Sequence, residues 1–593
     1  MLAFGAIIDQ SLAPLPPDMT PRMQCALPAI QGRVTMVVDE EVGLVHLADS
    51  RPLSFDADLP LRDGRLVVAG TLRIDARAAL RAQLALPNAD DETAESDARL
   101  VALAYRRWRD RLAEHLIGDY ALAVWDRAER RLVLATDPHG NRQLFWGRVG
   151  SLIIVSSEID AVRALPGLSA ELHEPTIVGL LRDGWIEDAE RTVFRNVHRV
   201  PGGHTLVLDA GAQPVVRRHW DWPVPSPIRY RKDDDYLEHF TEILHATLRD
   251  RLRADSATVL LSGGMDSTTL AVAARRAAPQ VRLHALTTTN PGMAPTDDAA
   301  LSVQVARRLG MDHQVLDLDS FDDLAYIDTP DSLLPQPYDE SDVDAYRRVF
   351  GVAAAAAPVA LYGEDGDMLL QAPTLLGQLR TQPFGEVVAS WTRRWWRSGH
   401  RPWVGLEWRQ RLARLRHGGE PDRTPWLRAD VLRAMAVPRR ERPVHPLRPQ
   451  AVSALSSPLW DAQYAVMAPT VSRASVLYTL PLVDPRLLAF VFAIPPVPWC
   501  QNKALFREAM RNDLPAAVLA RPKTALVGRI ESGVARWRAR GGAMDPVSER
   551  MARWVDIDAV RDIYRSGTPF QVMDSWRVLV IDRWLAREEA RRA

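Results

Sequence analysis

Residues 257–267 read ATVLLSGGMDS. Ala257–Leu261 is a short apolar run suited to a buried strand, and Ser262–Ser267 is a turn with paired glycines. After it Leu270, Ala273, Ala274 and Ala277 recur at i, i+3, i+4 and i+7, which predicts a helix with one apolar face. Such a strand-to-helix turn points backbone N–H groups and a helix N-terminus at one spot, an anion site that paired glycines let a phosphate approach closely. No Gly-Lys-Ser/Thr follows, so the turn is not a Walker A loop, and G-x-G-x-x-G is absent. A strand over 281–288, a helix over about 297–309 and a strand over 313–318 come next at βαβ spacing. This alternation predicts a parallel sheet with crossover helices.

Around this segment the chain is long and nearly neutral. Its 593 residues favour several domains, because single cores rarely grow past roughly 250–300 residues. A composition of 47% hydrophobic and 25% charged residues suits a globular protein. The net charge of −1 makes no case for nucleic acid or a membrane surface. No apolar run approaches the roughly 20 residues of a membrane helix, and Asp9 interrupts any secretory signal. Cys25 and Cys500 cannot build a disulfide framework, so a cytoplasmic location is expected. The 74 basic residues include only three lysines, Lys232, Lys503 and Lys523. Against that arginine bias a retained lysine is a candidate for work that needs a compact point charge.

Residues 1–220 read as short strands and turns with a few helices, and 221–235 (DWPVPSPIRYRKDDD) as a linker. Residues 236–593 carry the strand–helix alternation. Within them 380–448 hold 16 arginines, six acidic residues and six tryptophans, by composition a helical insertion.

Three more segments carry chemistry. Ala360–Leu370 (ALYGEDGDMLL) follows an apolar strand and offers Glu364 and Asp367; their bland role would be to cap the next helix. Asn502–Glu508 (NKALFRE), Leu514-Pro515 and Arg521–Thr524 (RPKT) place two of the three lysines in one window. Leu480–Leu487 (LPLVDPRL) reads as a structural element beside the site. SGGMDS after an apolar strand resembles the pyrophosphate loop of the N-type ATP pyrophosphatases, and these segments resemble their asparagine-synthetase branch. The resemblance implies ATP bound at Ser262, Gly263, Gly264, Asp266 and Ser267, with Mg²⁺ between Asp266 and Asp367. It implies Glu364 as the group accepting a proton from the attacking amine and Lys523 as the active-site lysine, whereas Lys503 reads more readily as a surface charge. Asp365 departs from the small residue of that family.

The first 220 residues resemble the class-II glutaminase half of the same enzymes. GDYALAVWD (118–126), TDPHGNRQL (136–144), SSEI (156–159), TVFRNVHRVPGGHTL (192–206) and RRHWDW (217–222) carry the likeness. Together the two halves imply an α/β protein: an N-terminal αββα Ntn-hydrolase-like domain and a C-terminal doubly wound parallel-sheet ATP-pyrophosphatase domain. The glutaminase chemistry is missing, because Leu2 stands where the nucleophilic cysteine belongs and Ala69-Gly70 replaces an Asn-Gly oxyanion pair. An adenylating half without its ammonia source points to an amine supplied by the substrate, hence a cyclic amide. Lasso-peptide cyclases and β-lactam or carbapenam synthetases follow that logic. Glu364 in place of the tyrosine of the β-lactam group, with Tyr362 out of register, favours the lasso cyclases. A precursor peptide, a leader-binding protein and a leader peptidase are the partners this implies, with no nucleic acid or membrane. The insertion either faces a threaded peptide or packs its tryptophans inward. An ammonia-dependent asparagine synthetase and a non-catalytic scaffold remain alternatives.

Overall fold

The structure is a computed structural model. It describes residues 3–27, 33–48, 51, 58–87, 95–168, 170–289, 298–318, 334–338, 343–373, 375–381, 383–398, 424–435, 437, 440, 442–521, 529–539, 541 and 547–591.

Among the described residues twelve strands build the N-terminal region: β1 (Ala3–Asp9), β2 (Arg33–Asp39), β3 (Val42–Ala48), β4 (Leu61–Asp63), β5 (Leu66–Asp75), β6 (Ile117–Asp126), β7 (Arg131–Thr136), β8 (Phe145–Val149), β9 (Leu152–Ser156), β10 (His198–Arg199), β11 (His204–Asp209) and β12 (Val215–Arg218). They form two six-stranded antiparallel sheets, ordered β10-β8-β9-β1-β3-β2 and β12-β11-β7-β6-β5-β4. The strand period of two gives each sheet two apolar faces. Phe4, Ala6 and Ile8 of β1 point inward against Ala121, Ala123 and Trp125 of β6, while Ile7 faces the other way. Helices α1 (Met19–Ala26), α2 (Asp97–Trp108) and α3 (Glu174–Asp183) cover the outer faces, with Leu100, Val101 and Tyr105 of α2 on Leu72 and Leu122. The layering is αββα.

The second region starts with α4 (Asp233–Arg251), and its sheet contains β13 (Ser256–Leu260), β14 (Arg282–Thr289), β15 (Asp312–Asp317), β16 (Val359–Leu361) and β17 (Leu477–Thr479). Its order is β15-β14-β13-β16-β17 and every pairing is parallel. Helices lie on both faces. Leu270 and Ala274 of α5 (Met265–Ala277) share a core with Ala285, whereas Val349 and Ala353 of α7 (Val343–Ala356) meet Leu286, the next residue on β14. Helix α6 (Asp298–Arg308) crosses between β14 and β15. This is a doubly wound sheet.

The two regions dock through buried charge. Arg73 of β5 donates to Asp75 at 2.9 and 3.0 Å, to Asp119 at 2.8 Å and to Thr479 of β17 at 3.2 Å. Arg251, at the end of α4, lies 3.0 Å from Asp75 and 2.8 Å from Asp484. The TDPHGNRQL segment reaches across as well: Arg142 donates to the Tyr478 carbonyl at 2.8 Å, His139 to that of Val483 at 2.8 Å, and the Tyr478 hydroxyl donates back to Asn141 at 2.6 Å. Below this, Ile177, Val178 and Leu181 of α3 share a core with Val578, Leu579 and Trp584 of the C-terminal helix Pro569–Ala590.

Of the Arg- and Trp-rich stretch, residues 399–423 lie outside the described residues. Trp391, in the helix Phe384–Ser398, is buried and donates to Gln378 at 3.1 Å, and Trp426 is buried among the C-terminal helices. These two tryptophans pack inward and do not offer aromatic surface to a peptide. No described helix is long and apolar enough to cross a membrane.

Candidate active site

The loop after β13 is organised by its two serines. Ser267 Oγ accepts the Ser262 amide at 3.1 Å and lies 3.1 Å from Ser262 Oγ, which in turn accepts the Gly264 amide at 3.3 Å. Gly263 has φ of 70°, a left-handed conformation that suits glycine. No side chain caps α5 at Gly264, so the first N–H groups of the helix stay available to an anion. The loop after β16 packs against this one. A Cβ on Gly366 would stand 2.4 Å from Asp266 Cγ, so only glycine lets the carboxylates of Asp266 and Asp367 come to one place.

Between them lies Lys503. Its ammonium is 2.5 Å from Asp266 Oδ2 and 2.7 Å from Asp367 Oδ1, and the side chain is only 17% exposed. The surface reading of Lys503 is therefore corrected. It was missed because Asp266 and Lys503 are 237 residues apart and no local pattern links them. One signal existed in the scarcity of lysine. Lys503 and its neighbour Asn502 both adopt positive φ, 54° and 49°. Two successive left-handed non-glycine residues are costly, and such strain is held where it aims a functional group. Arg507 secures the turn by donating to the Asn502 carbonyl at 2.9 Å and to that of Arg521 at 2.7 Å. Two hard carboxylates converging on one cation are also a fit set for magnesium. Lys523 lies outside the described residues.

Glu364 is exposed and accepts a hydrogen bond from Tyr362, so the tyrosine set aside on register touches the glutamate. Beside Glu364 opens a cleft of about 620 Å³ lined by Met368, Gln371, Gln450, Trp460 and Gln463, with Arg442 at its edge. Asp365 turns inward. It is 1% exposed, and neither carboxylate oxygen has a hydrogen-bond partner among the described residues. Burial, then the charges of Glu364 and Asp266, push its carboxyl up to about 8. Because the folded state favours the protonated form, stability is full below the unfolded value near 3.9 and declines as pH rises toward 8. We therefore expect Asp365→Ala to raise stability by a few kcal/mol at pH 8 and by little at pH 4, read as denaturation midpoints. An equal effect at both pH values would contradict this.

In the N-terminal region Ala69 is buried on β5 in the core between the sheets, and Leu2 lies outside the described residues.

Comparison with known proteins decides the family. The asparagine synthase family model matches residues 239–586, well over half of the chain, and a glutamine amidotransferase domain model matches residues 39–220. The chain belongs to the asparagine synthase family. Within that family it is 25% identical over 551 residues to a Mycobacterium bovis protein provisionally named a glutamine-hydrolysing asparagine synthetase, covering 83% of this chain and 80% of the relative. It is 30% identical over 179 residues to the amidase chyE of Penicillium rubens, covering 30% of this chain but only 26% of the relative's length. A solved glutamine phosphoribosylpyrophosphate amidotransferase from B. subtilis aligns over 53% of this chain and 65% of its own, at 13% identity and a TM-score of 0.26. Asparagine synthase membership thus places the SGGMDS loop, Asp266, Glu364 and Asp367 in the 239–586 half, and the Ala69-Gly70 pair in the amidotransferase half.

Proposed function

We propose that this chain is an ATP-dependent amide-forming ligase of the lasso-peptide macrolactam type. A side-chain carboxylate of a precursor peptide attacks the α-phosphorus of ATP, and the P–O bond to pyrophosphate breaks. The peptide's N-terminal amine then attacks the acyl-adenylate, loses a proton to Glu364, and AMP leaves. The uncapped N-terminus of α5, with Ser262, Gly263, Gly264 and Ser267, binds the phosphates. Asp266 and Asp367 would hold a magnesium ion, whose chemistry is to neutralise phosphate charge. Lys503 adds a second positive charge there, and Lys523 is assigned the developing oxyanion. A substrate bent so that amine and adenylate meet supplies the proximity contribution, roughly 7–11 kcal/mol.

The observation that carries this reading is the cleft beside Glu364. At about 620 Å³ it falls within the roughly 300–1,000 Å³ that accommodates drug-sized ligands, more room than a free amino acid needs. Its lining is rich in amides and hydroxyls (Gln371, Gln450, Ser453, Ser457, Gln463), which suit peptide backbone, with one tryptophan and one arginine. A site for free aspartate would need charge partners for an α-amine and two carboxylates, and among the described residues this lining offers one acid, Glu364, and one base, Arg442. Ala69 in place of a side-chain donor supports an amine that comes with the substrate. A leader-binding protein, a leader peptidase and a cytoplasmic setting belong to the same proposal, as does the absence of nucleic acid and membrane partners.

ATP–pyrophosphate exchange tests it with three substrates given separately: a leader-free peptide carrying an internal Asp or Glu, free aspartate, and a small β-amino acid. Exchange with the peptide alone, lost in Asp266→Ala, is the expected result. Exchange with a small acid would overturn the peptide reading in favour of asparagine or β-lactam synthesis. ATP binding without exchange would leave a scaffold.

A further inference from the structure

Among the described residues six outer strands close the three sheets, and five of them are guarded. Strands β4, β10 and β17 are three residues or shorter, β12 ends in Arg217 and Arg218, and β15 carries an aspartate at each end, Asp312 and Asp317. Short length and repeated like charge are the usual ways of keeping an edge from pairing with another chain. Strand β2 is long, and its two end charges, Arg33 and Asp39, are opposite in sign and so attract a second copy in antiparallel register. It runs seven residues, RVTMVVD, and pairs with β3 on one side, while among the described residues no strand pairs with its outer edge. Val34, Met36 and Val38, which alternate onto one face, are 48%, 48% and 57% exposed.

The residue order of β2 is complementary to itself. Antiparallel pairing with a second copy about a two-fold axis at Met36 places Arg33 opposite the partner's Asp39 and Val34 opposite the partner's Val38. It also sets Met36 against its own counterpart. Both ion pairs fall on the same face as Thr35 and Val37, and six apolar side chains meet on the other. Strand β15 fails the same operation, because it would set Asp312 against the partner's Asp317. Asp39 already pairs with Arg62 at 3.1 Å through one oxygen. The partner's Arg33 would extend that pair into a row of alternating charge at the rim.

We propose that β2 is the dimerisation strand of this protein. Two copies join their β10-β8-β9-β1-β3-β2 sheets edge to edge into one continuous sheet through Met36. The interface is isologous, so it closes at two copies.

The test uses the full-length chain with Cys25, which is exposed on α1, replaced by serine. The parent should have twice the 66.2 kDa mass of one chain by light scattering. Directly opposed residues of an antiparallel pair have Cβ atoms about 4.5–5.5 Å apart. Met36→Cys should therefore form a disulfide-linked dimer on mild oxidation. Val34→Cys, opposite valine and far from its own counterpart, should not. Met36→Arg sets two like charges on the axis and should give a monomer with an unchanged melting temperature, the dimer dissociation constant rising at least tenfold. A parent that is monomeric at every concentration overturns the proposal. So does a dimer that survives Met36→Arg, or equal cross-linking of the Val34→Cys and Met36→Cys variants.

Discussion

Lys503→Met will reduce ATP–pyrophosphate exchange by at least a hundredfold while the melting temperature stays within a few degrees of the parent. The ammonium lies between Asp266 and Asp367, at 2.5 and 2.7 Å, beside an uncapped helix N-terminus. Removing one preorganised charge from a site of developing negative charge costs about 10²–10³ in rate. Methionine keeps the length and the apolar stem, so packing changes little. Lys503→Arg should fail to restore full activity, because a planar fork cannot take the place of a point charge between two carboxylates. There is a clear opposite outcome. If Lys503 only fills a cation position in the absence of nucleotide, Lys503→Met would exchange at the parental rate and bind magnesium more tightly. That result would remove lysine from the mechanism and leave Asp266 and Asp367 as the metal pair alone.

Arg251→Met will destabilise the protein by roughly 1.5–3 kcal/mol, the worth of charged hydrogen bonds, because Asp75 keeps Arg73 and Asp484 keeps Arg486. Arg251 is 2% exposed, and it answers two carboxylates, Asp75 from one region and Asp484 from the other, neither of which reaches solvent. Burial works against the charge on Asp484, yet Arg251 and Arg486 hold its carboxyl well below the usual range. A depressed folded value means that this contribution is present above the unfolded value near 3.9 and is lost as pH falls below it. The parent should therefore lose stability steeply below about pH 4, and Arg251→Met should lose less over the same range. Denaturant titrations at pH 7 and pH 3.5 measure both. A loss under 1 kcal/mol at pH 7 would mean that water reaches the pair and that the regions are held mainly by the apolar core around α3.

The retained glutaminase-like motifs gain a physical account from this junction. His139, Asn141 and Arg142 all lie in TDPHGNRQL, and each contacts the asparagine synthase half. LPLVDPRL, read as an element beside the site, supplies Asp484 and Arg486 to the same network and so belongs to the junction. The glutamine amidotransferase-like region thus forms half of an interface, whatever chemistry it carries.

The sequence alone determined everything that depends on short spacing. Apolar runs of five residues, glycine pairs and i, i+4 recurrences report strands, turns and helix faces directly, because those structures repeat over a few residues. That sufficed for the αββα region and the parallel sheet, and for the SGGMDS and YGEDGD segments as the loops that follow two of its strands. The tertiary structure alone decided which side chains converge. Lys503 reaches Asp266 from 237 residues away, Tyr362 hydrogen-bonds Glu364, and Trp391 and Trp426 turn inward from a stretch whose composition suited either direction. The charge state of Asp365 was equally out of reach, since burial is the largest influence on its carboxyl, ahead of the charges of Glu364 and Asp266. Convergence depends on how whole elements pack, and packing is a property of the complete core, so no local pattern encodes it.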